Sequence, residues 1–365
     1  MKRLLCITAN MNAGGAETFL MKIYRELDRT QFQMDFCVNS NKNKYAEEIA
    51  SLGGKIYTAP SKSKSPLKAF LAVKNIVKEN KYEYVMRVNE HSLSVIDLLA
   101  AKCGGAKHLI MRSSNSNSPS KISKALHIFF QFLPKYVPNV KLAPSELAAR
   151  YTFGNKCVDN NEVHLLKNGL SIDLFKFSEV KRNRLREELK VADKFVVGHV
   201  GRFNTQKNHL FLLDVFSEIR KLNKNAVLLM VGEGNLETQV RKRAEELEIM
   251  DSCIFTGVRN DVDSLLCAMD VFLFPSLYEG MPNTVIEAQV SGLPCVISDT
   301  ITSECNVSGL VQFISLQAPK ERWAECVITA SSDERSHAAI RMIQNGYEIS
   351  EVAEEFCKLI FDRRL

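Results

Sequence analysis

Four side chains in the second half of the chain have the types and spacing to act on an anionic, hydroxyl-rich ligand. Arg202 and Lys207 lie in the polar stretch Gly201-Arg-Phe-Asn-Thr-Gln-Lys-Asn208, between an apolar run and a helix-forming one. A planar guanidinium fork and a compact ammonium in one loop can converge on a single diphosphate, whereas the plainer alternative is a pair of solvated loop cations. Glu279 and Glu287 stand eight positions apart, the first ahead of a helical stretch and the second inside it. Two carboxylates reaching one crevice at different depths can accept hydrogen bonds from neighbouring hydroxyls. Here too a plainer alternative exists, a helix-terminus charge and a solvated helix residue. Gly280, Met281, Pro282, Asn283 and Thr284 lead from one glutamate toward the other. Pro282 sits near the first helical turn, where its missing N–H costs nothing, and the amides around it face an anion site beyond the strand end. In the first half, His91 follows an apolar run in Val88-Asn-Glu-His91. It is a proton carrier, a donor that orients a second substrate, or an ordinary surface residue.

These loops need rigid elements on either side. Phe195–Val200 reads as a buried strand and a helix begins near His209. Asp270–Pro275 reads as another strand, followed by a helix over Thr284–Ser291 that Gly292 stops. Further strands are expected at 3–9, 33–38, 55–59, 84–87, 109–111 and 226–231, with helices at 17–27, 46–51 and 66–79 between the earlier ones. Strands alternating with helices give parallel α/β sheets, whose ligands collect at the C-terminal strand ends. Gly14 and Gly15 follow the first strand, where paired glycines let a backbone approach a ligand or simply make a tight turn. Val258 and Arg259 follow Gly257, and Asp261 is placed to cap the next helix. Gly232-Glu-Gly234 is too short for a dinucleotide fingerprint.

With 365 residues, 45% hydrophobic and 25% charged, the chain suits two globular domains and excludes disorder. The net charge of +6 is divided unevenly: residues 1–172 carry 25 Lys+Arg against 13 Asp+Glu, so the remainder is acidic. A basic half suits an acidic substrate, nucleic acid or an anionic membrane. Lys121, Lys124, Lys135 and Lys141 surround Ile128-Phe-Phe-Gln-Phe-Leu133, which suits a helix lying on a membrane or one packing its aromatics inward. Ten cysteines stand singly, without a CxxC pair, as expected of reduced core residues in a cytoplasmic protein. No metal site is expected, and no apolar run approaches the ~20 residues of a membrane span.

The string from Glu279 to Ala288, with Pro275-Ser276 before it and Gly292-Leu293-Pro294 after it, resembles the EGxPxxxxEA element of glycosyltransferase family 4. Those are retaining enzymes of the GT-B fold. Gly201–Asn208 resembles the family's GR-x-x-x-xK element. Gly14-Gly-Ala-Glu17 resembles its first loop, and Leu165–Gly169 with Ile172-Asp-Leu-Phe175 its PNG(I/V)D-x-x-x-F element. The resemblance implies an α/β protein of GT-B architecture, with two Rossmann-like domains facing a central cleft. The expected parts are an acceptor-side domain at 1–175, a nucleotide-sugar domain at 176–349, and a helix at 350–365 crossing back to the first.

The same resemblance implies a hexosyltransferase-type enzyme of capsule or exopolysaccharide assembly, moving sugar from a nucleoside diphosphate, UDP by preference, to a glycan or lipid-linked glycan hydroxyl. Arg202 and Lys207 would hold the diphosphate, Glu279 the donor sugar, Glu287 the ribose, and Gly14 and Gly15 would lie near the phosphates. Val258 and Arg259 would meet the nucleobase through their backbone. His91 matches a loop where the family often has histidine, whereas Arg112, Ser113 and Ser114 replace a second one. No metal or cofactor beyond the donor is expected, no nucleic acid, and a cytoplasmic location peripheral to the inner face of the plasma membrane. A GT-B sugar-nucleotide epimerase and a non-catalytic glycan-assembly partner are the alternatives. The epimerase needs no acceptor, and the partner should have lost one of the four charged residues.

Overall fold

The computed structural model describes residues 1–12, 14–62, 64–89, 91–114, 127–330 and 335–362. The chain forms two compact units, Met1–Leu170 with Tyr347–Leu365, and Ser171–Gly346.

Among the described residues unit 1 holds seven parallel strands: β1 (Lys2–Ile7), β2 (Phe32–Val38), β3 (Ile56–Thr58), β4 (Tyr84–Asn89), β5 (His108–Ser113), β6 (Val140–Ala143) and β7 (His164–Leu165). Their spatial order is β3-β2-β1-β4-β5-β6-β7. Unit 2 holds six: β8 (Phe195–Val200), β9 (Ala226–Val231), β10 (Cys253–Phe255), β11 (Val271–Phe274), β12 (Cys295–Ser298) and β13 (Val311–Ile314), in the order β10-β9-β8-β11-β12-β13. Every pairing is parallel. The central strands are apolar on both faces because helices cover both, so β11 buries all of Val271-Phe-Leu-Phe274. Each sheet reverses its direction of growth once, between β1 and β4 in unit 1 and between β8 and β11 in unit 2. Crevices at such reversals are where open α/β sheets bind ligands.

Five helices border these crevices or close the two units: α1 (Gly15–Glu26), α2 (His209–Leu222), α3 (Val262–Ala268), α4 (Asn283–Val290) and α5 (Ile349–Phe361). Helix α4 stops at Ser291 because Gly292 takes φ of +65°, a conformation that a side chain would strain and that here also brings the backbone against Arg335. Helix α5 belongs to unit 1. Its Phe356 meets Phe19 of α1 edge-on at 6.4 Å, its Phe361 stacks on Phe32 at 4.7 Å, and Lys2 Nζ donates to the Phe361 carbonyl at 2.9 Å.

Unit 1 gives way to unit 2 at Leu170, ahead of the expected boundary at 175. The reason is the short helix Ile172–Phe175, whose Ile172 and Phe175 are buried on α3, α4 and the helix Ala338–Gln344 of unit 2. The chain re-enters unit 1 at Tyr347, before the expected 350, where Leu170 N–H donates to the Tyr347 carbonyl and Ile349 N–H to that of Leu170.

A second departure concerns the basic aromatic stretch. Lys141 lies in β6, is nearly buried, and donates to Glu162 at 2.7 Å, so it belongs to the sheet and not to a basic helix face. Lys121 and Lys124 fall outside the described residues. Ile128, Phe129, Phe132 and Tyr136, by contrast, are 52–73% exposed, beside Lys135.

Candidate functional site

The loops that leave β8 and β11 are tied together by side chains of the first. Gln206 Nε2 donates to the Tyr278 carbonyl at 2.8 Å, Leu277 N–H to the Gln206 carbonyl at 2.8 Å, and Asn208 Nδ2 to the Pro275 carbonyl at 3.2 Å. Asn204 Oδ1 accepts the Lys207 N–H at 3.1 Å, which caps the single turn Thr205–Lys207. A third loop supports the first from below. Phe203 N–H donates to the Glu233 carbonyl, and the loop 232–234 runs so close that a Cβ on Gly232 or Gly234 would collide with the carbonyls of Gly201 and Phe203. The two glycines too closely spaced for a dinucleotide fingerprint are thus the bed on which the Arg202 loop lies. Gly232 also donates to the Gly257 carbonyl at 2.9 Å, which ties in the turn bearing Val258 and Arg259.

This frame places Lys207 against Glu279, with Nζ 2.7 Å from Oε1. The same ammonium lies 4.5 Å from the centroid of Phe274, a cation–π contact. The aromatic ground continues inward through His199, 5.5 Å from Phe274, and His209, edge-on to His199 at 4.7 Å. His199 Nδ1 donates to the Leu273 carbonyl at 2.9 Å, while its Nε2 and both nitrogens of His209 are buried without a partner among the described residues. Burial holds His199 down to about 4 and, with His199 and Lys207 nearby, His209 to about 2. Both are therefore neutral near pH 7. Among the described residues Lys207 has one carboxylate partner, Glu279, and the exposed Arg202 guanidinium makes no ion pair. The signal for Asn204, Gln206 and Asn208 was present in the sequence as a run of amides around one lysine.

Pro282 is the N-cap of α4, with Gly280, Met281 and Pro282 buried around the turn. Glu287 projects from the second turn and is largely buried. Among the described residues, the hydroxyls of Thr284 and Ser276, at the helix start and after β11, are buried without a hydrogen-bond partner. Asp261 stands at the N-cap of α3 but makes no side-chain cap bond. Its carboxylate instead takes Arg259 at 2.7 and 2.8 Å, raising that guanidinium further, and Arg259 also reaches Glu188 at 3.2 Å. The Arg259 side chain is thus occupied by carboxylates, and the neighbouring Val258 is half-exposed.

In unit 1 the structure puts Gly14 and Gly15 after β1 and His91 after β4, at the reversal of that sheet. Gly14 is the N-cap of α1, and Glu17 in its first turn accepts Thr8 Oγ1 at 3.3 Å. His91 Nδ1 accepts the Leu93 N–H at 3.3 Å. His127, which sequence reasoning passed over, lies edge-on to His91 at 5.3 Å, stacks on Tyr151 at 4.0 Å, and is fixed between Ser92 N–H and the Tyr151 carbonyl.

Arg112 carries an unexpected charge for a core position. It is 1% exposed, stacks on Phe19 at 3.6 Å, and bonds Asn168 Oδ1, while its Nε has no partner among the described residues. Burial pulls the guanidinium down to about 9, so it is still a cation at neutral pH, and no described carboxylate pairs with it.

The family model for glycosyl transferases group 1 matches residues 180–349. EpsF of Bacillus subtilis (strain 168), a glycosyltransferase by name, is 32% identical over 364 residues, covering 96% of this chain and 94% of EpsF. The capsular polysaccharide biosynthesis glycosyltransferase CapH of Staphylococcus aureus is 26% identical over 379 residues and covers 100% of both chains. Among solved structures, Anabaena Alr3699/HepE in complex with UDP and glucose superposes with a TM-score of 0.78 at 17% identity, over 98% of this chain and 99% of that one. Two Rossmann-like parallel sheets, the sequence match and these relatives lead to one conclusion: the chain belongs to the group 1 glycosyl transferases, with the GT-B fold.

Proposed function

We propose that this protein is a retaining glycosyltransferase of cell-surface polysaccharide assembly, moving a hexose from a UDP-sugar to a hydroxyl of a growing, lipid-linked glycan. The observation that carries the donor assignment is the Lys207–Glu279 pair at the β8/β11 reversal, with Arg202 exposed on the same loop. Arg202, Lys207 and the amides and hydroxyl of Gly280–Thr284 supply preorganised donors for the charge that grows on a leaving diphosphate, the usual largest contribution to such catalysis. Glu279 accepts from the sugar hydroxyls and Glu287 from the ribose diol. In the retaining step the bond from the anomeric carbon to the phosphate oxygen breaks, a bond to the acceptor oxygen forms on the same face, and the acceptor proton passes to the leaving phosphate. With those cations on the diphosphate, the transfer is metal-independent, and His91 acts by orienting the acceptor. UDP in the HepE complex supports the choice of nucleotide.

The acceptor side suits a membrane. Ile128, Phe129, Phe132 and Tyr136 expose amphipathic and apolar surface on a unit with excess Lys and Arg, a combination that seats proteins at an anionic interface. No helix among the described residues is long and apolar enough to cross a bilayer. The activity at the inner face of the plasma membrane is tested with labelled UDP-sugars, EDTA, and anionic or neutral vesicles carrying lipid-linked saccharides. Acceptor-dependent sugar transfer that survives EDTA, with salt-sensitive flotation on the anionic vesicles, is expected. Conversion of UDP-sugar to its epimer without acceptor would overturn the assignment.

A further inference from the structure

Lys207 and Glu279 hold each other at 2.7 Å, with side chains 16% and 10% exposed. The donor-site assignment, on which this inference rests, gives them different halves of one ligand: the diphosphate to Lys207 and the sugar hydroxyls to Glu279. A diphosphate approaching Lys207 therefore meets a carboxylate already in place. Two anions sharing one ammonium repel each other, and more strongly in a site with little water. The ground beneath offers no relief, since Phe274, His199 and His209 are uncharged.

An intact nucleotide sugar resolves the conflict, because its hydroxyls give Glu279 replacement donors and draw it from the ammonium. A spent nucleoside diphosphate brings none. We infer that the Lys207–Glu279 ion pair discriminates the intact donor from its product: the donor splits the pair and occupies both groups, and after transfer the pair re-forms and loosens the nucleoside diphosphate. Breaking the glycosidic bond to phosphate thus removes Glu279's hydroxyl partners while the diphosphate stays behind as an anion. The carboxylate then returns to Lys207 and competes with the product.

Glu279→Gln keeps the shape and an acceptor oxygen while removing the charge. Calorimetry on the full chain, with UDP alone, should show about tenfold tighter binding than wild type, the scale of one charge pair in a partly buried site. Product inhibition by UDP should strengthen in parallel, while affinity for the intact UDP-sugar does not rise. In a Lys207→Met background the same change should alter UDP affinity less than about twofold, because the gain acts through the ammonium. Thermal melts without ligand check that each variant is folded. UDP bound no more tightly by Glu279→Gln, or a gain that persists without Lys207, overturns the inference while leaving the donor site standing. Wild type that is folded and binds no UDP overturns the donor-site assignment itself, and this inference with it.

Discussion

At the reversal of the unit 2 sheet, side chains of one loop bond the backbone of the other, through Gln206 to Tyr278 and Asn208 to Pro275. At the reversal of unit 1 the loops are held differently. The loop after β1 leans on the segment after β2, with Met11 N–H on Asn43 Oδ1 and Tyr45 N–H on the Met11 carbonyl, and the loop after β4 is fixed by its own turn and by His127. A cross-bonded frame preorganises charges, which suits a ligand part that never changes, such as a nucleoside diphosphate. Loops anchored separately can differ from one protein to the next without disturbing one another, which suits a variable acceptor. The charges at the two reversals differ as well: Lys207 pairs with Glu279, whereas Arg112, at the end of β5, is buried with no described carboxylate paired to it.

Lys207→Ala puts this contrast under the greatest strain. It should lower kcat/KM by roughly two orders of magnitude or more, the usual cost of one preorganised charge donor. Initial rates with saturating acceptor measure it, and near-normal turnover in a folded variant would remove the donor role from the β8/β11 loops. A smaller effect is expected of Glu287→Ala, which should weaken UDP itself by about tenfold, as loss of a charged hydrogen bond worth ~1.5–3 kcal/mol allows. Isothermal calorimetry reads this directly; unchanged UDP affinity would return Glu287 to the role of an ordinary helix residue.

The smallest effect sharpens the unit 1 side. Arg112→Met replaces an uncompensated buried cation by an apolar chain of similar length, a change of the kind that is neutral or stabilising. Its folded-state value, lowered to about 9 by burial, means the unfolded chain holds that proton more tightly. The penalty is therefore fully present below pH 9 and lessens as pH rises from there toward the ordinary arginine value. At pH 7 the variant should melt about 2–4 °C higher, as ~1 kcal/mol gives in a unit of this size. Higher melting with lower transfer and unchanged UDP affinity would assign Arg112 to the acceptor side. Lower melting would show it to be a structural residue held by Phe19 and Asn168.

The parallel sheets and the loops after β8 and β11 were legible in the sequence because their signals are local. Apolar runs ending in Gly-Arg or Pro-Ser mark strand ends, and Gly292 marks a helix stop that the backbone needs. What stayed hidden depends on long-range packing. Nothing near Asp261 says that its carboxylate turns to Arg259 instead of the helix amides, because that choice is made by geometry across a turn. Lys141 looked like part of a basic face because alternation in a four-residue strand is too short to read. The boundary at Leu170 depended on where Ile172 and Phe175 find apolar partners, and the link between Gly232 and the Arg202 loop on two backbones meeting.

The return of α5 to unit 1 has a consequence for how the protein is made. Unit 2 is, in chain terms, an insertion within unit 1, entered after Leu170 and left before Tyr347. As the polypeptide leaves the ribosome, unit 2 has all of its strands available while unit 1 still lacks the helix that covers Phe19 and Phe32. Domains fold as units during synthesis, and an uncovered apolar face is prone to aggregate. A nascent chain stalled before residue 347 should therefore hold a protease-resistant unit 2 behind a unit 1 that still needs a chaperone, even though unit 1 was begun first.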